Sequence, residues 1–288
     1  GADFTGAELD HANFRGADLR QANLDTDIAG ARFEGARFDL GTAWPAGAPL
    51  GAVGPGGDAS GANLDGMVFD DLDLYRMVFH DASLEGVSLV RATLQEARLH
   101  RARMAGANLV GADLRRADLV HTDLRGADMG RARLVSARLT TSDLRGASLV
   151  GADMTGAVLD GVRLQGAFAD TATKWPAGFD PTLAGVVLLS GDLRDLNLAG
   201  APLSGALMQG ANLDGVDLRG ATLVNANLSD ASLQDALLEQ ARLTGAILDG
   251  ANLCGADLRG AELSGTSFAG AIVCDSTRFS PGHRPLGL

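Results

Sequence analysis

One period constrains this chain more than any other feature, and the period is five. GANLDG begins at Gly61, GANLVGADLRRADLV at Gly106 and GANLDGVDLRGATLV at Gly210. Each unit is a small residue, a polar residue, a large apolar centre, and two mostly polar or glycine positions. Centres run Phe4, Leu9, Phe14, Leu19, Leu24, then after one dropped residue Ile28, Phe33, Phe38. A second run continues without a slip from Leu64 to Leu164, every centre Leu, Phe or Met, and a third goes from Leu188 to Val273. A fixed repeat of this kind decides the fold before any local propensity does.

Five matches neither a helix period of 3.6 nor a strand period of 2. On a helix the centres scatter round the axis; on a simple strand they alternate faces. A square coil resolves the conflict. Each pentapeptide forms one side, the centre and the small residue two before it point inward, and the other three face solvent or the corner. Four sides make a 20-residue coil, and coils stack by parallel pairing at about 4.8 Å. Alanine before the centre leaves room in a narrow interior. Glycine suits the corner because it adopts positive φ freely. Asn or Asp just before the centre suits turns through side-chain to backbone bonds. Four buried leucines do not offset the ordering of twenty residues, so stability must come from coil-on-coil stacking, as in solenoids.

Composition agrees with this reading. Glycine accounts for 39 of 288 residues, aromatics for only 5%, and the net charge is −12. Glycine at this level argues against a broad helical core, and 46% apolar residues with mixed charge argue against disorder. No apolar run approaches the ~20 residues of a membrane span. The opening GADFTGAELD has neither the basic start nor the apolar stretch of a secretory signal. The acidic balance argues against direct nucleic-acid binding.

ANLDG, ADLRG, ANLCG and ASLVG resemble the A(D/N)LxG motif of the pentapeptide repeat family, over roughly residues 1–38, 60–168 and 186–273. The resemblance implies an all-β solenoid, a right-handed quadrilateral β-helix. At four centres per coil it has about 12 coils, roughly 56 Å of stack. The organisation expected is run 1 over 1–38, a Gly/Pro-rich loop with Trp44 over 39–60, and run 2 over 61–168. A loop with Trp175 follows over 169–187, then run 3 over 188–273 and a tail over 274–288. Both loops carry Trp-Pro-Ala-Gly. Each is either a loop pinned by its Trp over apolar surface or a projection that binds a partner, where Trp is favoured.

Residues 20 apart should sit above one another. One face then carries Arg98, Asp118 and Arg138, an alternating-charge ladder. Another lines up Arg103, Asp123, Asp143 and Arg163 beside Arg125 and Arg145. A third stacks Val90, Val110, Gly130 and Val150, and in the last run Val187, Leu207 and Ile247 align, interrupted by Asn227. The charged ladders read as solvated pairs worth a few tenths of a kcal/mol each or as a recognition pattern. The apolar stripes read as scattered surface residues or as contacts to a partner or a second copy. Trp44, Trp175, Val90, Val110, Val150, Arg98, Arg138, Leu207 and Ile247 are therefore the candidate partner-contact residues. Charge is uneven: residues 1–60 and 169–288 are acidic, while 91–145 is rich in Arg.

Cys254 and Cys274, 20 apart, should be neighbours within disulfide reach; two cysteines in so long a chain favour free thiols in a reducing, cytoplasmic setting. His80 and His100 share a face with His121 near, and Asp70, Asp71 and Asp73 form an acidic edge; both read as structural rather than metal-binding. HExxH, CxxC, P-loop and GxSxG patterns are absent from the sequence. No catalytic residue, cofactor or metal is expected. The expectation is a non-catalytic solenoid offering a rigid protein-interaction or scaffolding surface. The alternative comes from the family: some members resemble duplex DNA and bind type II topoisomerase (DNA gyrase), protecting it from quinolone-like poisons. Spaced carboxylates would imitate phosphates for a basic partner. The Arg-rich middle and the two Trp-Pro loops depart from those members.

Overall fold

The structure is a computed structural model, and residues 1–14, 16–28, 31, 42–43, 55–194 and 196–281 are described. Its backbone is a ladder of parallel bridges between residues 20 apart. Asn63 pairs Ser83, Ser83 pairs Arg103, and Arg103 pairs Asp123; the same offset runs from Asp192–Asn212 to Asn252–Ile272. Twenty residues hold four five-residue sides, so each coil is four-sided. Three hydrogen bonds join a side to the next coil: Leu84 N–H donates to Arg103 O (2.7 Å), Arg103 N–H to Ala82 O (2.9 Å), and the corner Gly86 N–H to Ala105 O (2.9 Å).

Each side ends in a tight turn. The N–H three residues after a centre donates to the centre's carbonyl, as Ala107 does to Met104 (3.1 Å), with positive φ two residues after the centre. This is the type II pattern, which asks for glycine at its third residue. Gly106 and Gly126 supply it at φ 66° and 64°, but Arg91, Glu96 and Arg101 occupy equivalent corners at 57–59°. A left-handed L-residue costs about 1–2 kcal/mol, so the stacked ladder holds these corners against local preference.

The chain forms two compact units. The first comprises Gly1–Ala147, Ala152–Gln165 and Lys174–Ala184. Inside it the centres and the residues two before them are buried almost without exception from Leu74 to Leu144. Thr122 and Ser142 replace alanine there, and their hydroxyls donate to Leu99 O (2.9 Å) and Leu119 O (2.5 Å), so their polar atoms are satisfied inside the core. Bridges also reach segments between the runs: Ala43 pairs Asn23, and Lys174 pairs Asp153 one residue out of the usual offset.

The second unit comprises Ser148–Gly151, Gly166–Thr173 and Gly185–Leu288. Its two short parallel pairs join β1 (Phe168–Ala169) to β2 (Val187–Leu188) and β3 (Asp257–Leu258) to β4 (Arg278–Phe279). The first pair spans one residue fewer than a coil and the second one more. That shift changes one expected centre: Leu188 is half-buried and Leu189 is the inward residue, at 0% exposure. The buried Asp170 fastens this region. It accepts from the N–H groups of Gly151 (3.0 Å), Ala172 (3.1 Å) and Leu207 (3.1 Å), and from the Thr173 hydroxyl (3.1 Å).

The cysteine expectation needs correction. Cys254 and Cys274 are bonded to one another, with Cα atoms 4.9 Å apart. Both follow a centre on successive coils, so stacking alone brings them within the range a disulfide needs. Among the described residues no helix is long and apolar enough to cross a membrane.

Candidate interaction surface

Because the interior is filled by the chain's own side chains, the chemistry lies on the outer positions. The residue just before a centre, when Asn or Asp, accepts the N–H of the residue just after it: Asn63 from Asp65 (3.1 Å), Asp73 from Tyr75 (3.1 Å), Asn252 from Cys254 (3.2 Å). This is the side-chain to backbone bond that the sequence suggested.

A sharper arrangement appears wherever the chain reads Asp-Leu-Arg. The arginine after the centre folds back onto the aspartate before it and grips both oxygens. Arg115 does so on Asp113 (2.7 and 2.6 Å), Arg125 on Asp123 (2.8 and 2.6 Å), and Arg145 on Asp143 (2.8 and 2.6 Å). Arg194, Arg219 and Arg259 repeat it on Asp192, Asp217 and Asp257 in the second unit. Such two-pronged pairs are short and directional. The guanidinium holds each carboxyl below the usual range, and Asp192 falls to about 2 beside Arg194. The Asp-Leu-Arg spacing was visible in the sequence, but stacking between coils took precedence there over pairing within a side.

Pairs between coils add to these. In the first unit Arg98, Asp118 and Arg138 form one bridge column, with Arg138 Nη1 3.2 Å from Asp118; Arg103, Asp123, Asp143 and Arg163 form another, with Arg163 Nη1 3.2 Å from Asp143. Arg91 grips Asp71 and Arg101 grips Asp81 from the coil above. Both expected ladders are therefore present. Arg98 and Arg138 are exposed.

A second recurrent clamp uses aspartate after a centre. Asp65 accepts the Ser83 hydroxyl (2.5 Å) and the Glu85 N–H (2.8 Å), and Asp70 does the same with Ser88 and Val90. An Asp followed eighteen residues later by Ser is a sequence signal that a search at multiples of five passes over.

The other candidates separate. Val90 and Val110 are half-buried in the first unit. Val150 belongs to the second unit and is 1% exposed within its core, so it cannot be a contact residue on that stripe. The 20-residue offset still holds there, in Arg133–Asp153 and Ser148–Phe168, and periodicity alone does not report what covers a side. Leu207 is half-buried, its N–H held by Asp170, and bridges Asn227, which bridges Ile247, 38% exposed. Trp175 is half-buried and stacks on Phe179 (centroids 5.2 Å apart); Leu183, eight residues on in the sequence, is 88% exposed. Trp44 lies outside the described residues. His80, His100 and His121 meet edge-on, with ring centroids 6.1 and 5.4 Å apart, and His121 Nδ1 is 2.6 Å from the Thr141 hydroxyl. Among the described residues no three His, Cys, Asp or Glu side chains are grouped to hold a metal ion.

Coils of five-residue sides, stacked in parallel around a filled core, define a pentapeptide-repeat β-helix. The family model "Pentapeptide repeats" matches residues 1–39, 60–95, 92–131, 137–172, 197–235 and 236–273, and the chain belongs to that family. Its fit to the right-handed β-helices of the family rests on this membership and on the bridge register. Among solved structures, the chain is 40% identical to alr5209, a pentapeptide repeat protein from Nostoc PCC 7120, over 35% of this chain and 84% of that one (TM-score 0.35). It is 31% identical to HetL, a pentapeptide repeat protein involved in heterocyst differentiation regulation from the cyanobacterium Nostoc sp. strain PCC 7120, over 75% of this chain and 91% of that one (TM-score 0.27). QnrB1, a plasmid-mediated fluoroquinolone resistance protein, is 15% identical over 74% and 92% (TM-score 0.34). No curated protein sequence matches.

Proposed function

We propose that this protein is a non-catalytic scaffold that offers a rigid, mixed-charge surface to a protein partner. Members of its family act in protein interactions, and the arrangement of charge supports the same role here. The carrying observation is the Asp-Leu-Arg grip. It fixes both charges in one geometry on a backbone that is itself hydrogen-bonded to the next coil, so a pattern of alternating charge is preorganised and little side-chain freedom is lost on binding. Arg98 and Arg138 are the contact residues: they are exposed on the column they share with Asp118, where Arg138 pairs Asp118 between coils (3.2 Å) rather than through a grip within a side. Trp175 on the first unit, and separately Leu207 and Ile247 on the second, are apolar contact candidates.

The same observation weighs against DNA mimicry of a gyrase-type topoisomerase. A phosphate mimic needs carboxylates free to meet a basic groove, and here Asp113, Asp123, Asp143, Asp192, Asp217 and Asp257 already hold arginines. A cytoplasmic placement rested partly on free thiols, and the Cys254–Cys274 bond removes that support.

The test compares the wild-type chain with the Arg98→Glu/Arg138→Glu variant as affinity bait, with matched thermal melts as the folding control. A saturable protein partner kept by wild type and lost by the variant supports the reading. Equal capture by both overturns the assigned contacts. A supercoiling assay with DNA gyrase, with and without a fluoroquinolone, separates the alternative: inhibition or protection by the wild-type chain would reinstate it.

A further inference from the structure

The chain contains four Asp-Gly steps: Asp65–Gly66, Asp160–Gly161, Asp214–Gly215 and Asp249–Gly250. All four sit in the same turn, just after a centre, with the closing hydrogen bond from Met67 to Leu64 O, Val162 to Leu159 O, Val216 to Leu213 O and Ala251 to Leu248 O. Each aspartate also follows a leucine. They therefore form an internally controlled set that differs mainly in what the next coil does to them.

Three of the four are held twice. Asp65 accepts the Ser83 hydroxyl and the Glu85 N–H, Asp214 those of Ser232 and Gln234, and Asp249 those of Ser267 and Ala269. The glycine N–H that follows is also engaged: Gly66 donates to Glu85 O (2.8 Å), Gly215 to Gln234 O (2.7 Å) and Gly250 to Ala269 O (2.9 Å). Asp160–Gly161 has neither restraint. Eighteen residues beyond Asp160 stands Gly178, which carries no hydroxyl. Among the described residues the Asp160 carboxylate and the Gly161 N–H have no hydrogen-bond partner, and both residues are exposed.

We infer that Asp160 is a site of spontaneous covalent modification, the step where this fold converts aspartate to isoaspartate. The Gly161 amide nitrogen attacks Asp160 Cγ. An N–Cγ bond forms, a Cγ–O bond breaks, and the departing hydroxyl leaves as water with the amide proton, giving a five-membered imide. Water then adds to one of its two carbonyls. Cleavage of the N–Cγ bond restores aspartate; cleavage of the original peptide bond leaves isoaspartate, with the backbone routed through the side chain. One water leaves and one returns, so no other reactant is needed. Glycine favours the attack because it has no side chain to obstruct it. At the other three steps the nucleophile and the electrophile must both be released from the ladder first, and exchange-competent openings of that kind are rare in packed regions.

The test incubates the full-length folded chain at mildly acidic pH, digests it, and measures isoaspartate at the four sites by isoaspartyl methyltransferase labelling and fragmentation mass spectrometry. Releasing two hydrogen bonds corresponds to about a tenfold or greater lead for Asp160 over each of the others. In urea the four sites should converge. Asp160→Glu should abolish the leading signal, Glu85 showing that glutamate is accepted after a centre. Ser83→Ala, with its melt as folding control, should raise the rate at Asp65. Equal rates at the four sites in the folded chain overturn the inference, as does a lead for Asp160 that persists unchanged in urea.

Discussion

Asp128 sits just before the Met129 centre, a position where Asp113, Asp123 and Asp143 each meet an arginine. Gly130 follows Met129 instead, and Asp128 accepts only its N–H (3.0 Å). Burial without a cation raises its pKa from 3.8 to about 6. The folded state then binds the proton more tightly than the unfolded chain, so this group's contribution is fully present below about pH 4 and is lost as pH rises through 6. Asp128→Asn is expected to stabilise the protein at pH 7 by roughly 1–2 kcal/mol, allowing for the residue's partial exposure, with no gain at pH 4. Melts at both pH values check this, and a gain of equal size at both would contradict it. Asp123 and Asp143 have the opposite sign. Arg125 and Arg145 lower their pKa values, so their stabilisation is present above the unfolded pKa and is lost as pH falls through the folded one. In the core, Leu114→Ala is expected to cost about 2–5 kcal/mol, because a narrow interior collapses poorly around a lost side chain; denaturant titration measures it.

A coil is the smallest element that means anything here, and it was largely readable in advance. The period placed the centres and the alanines inward because those two positions alone carry apolar or small side chains at every side. The readable part ended where loop length changed the register. Leu188 keeps the period in sequence but not in space, since the segment from 168 to 188 closes its coil with one residue fewer than twenty; Val150 keeps the register but is buried in the core of the second unit, which the period does not report. Asp170 fastens that segment through contacts no local pattern announces. The cysteines illustrate the same limit: spacing put them side by side, while composition argued for thiols. Their disulfide closes a loop of about twenty residues, so reduction, or Cys254→Ser with Cys274→Ser, should cost about 3 kcal/mol. A melt with and without dithiothreitol reads the difference, which must vanish in the double variant.

For the whole molecule, net charge is a poor guide to surface character. The value of −12 is consistent with a carboxylate-rich DNA mimic until the arginines are placed. Each Asp-Leu-Arg unit then removes one carboxylate from that surface, leaving columns of mixed charge in the first unit. The fold was legible because it repeats; the contact surface was only partly so, because pairing within a side depends on rotamers that a one-letter pattern does not record. Every column in this description depends on one quantity, the 20-residue offset between stacked coils. Cysteine pairs measure it directly. In a chain lacking Cys254 and Cys274, Val90→Cys with Val110→Cys repeats the natural geometry and should form an intramolecular disulfide under mild oxidation, whereas Val90→Cys with Ala105→Cys should not. A bond in the 15-residue pair, or none in the 20-residue pair, would contradict the four-sided coil and every surface column built on it.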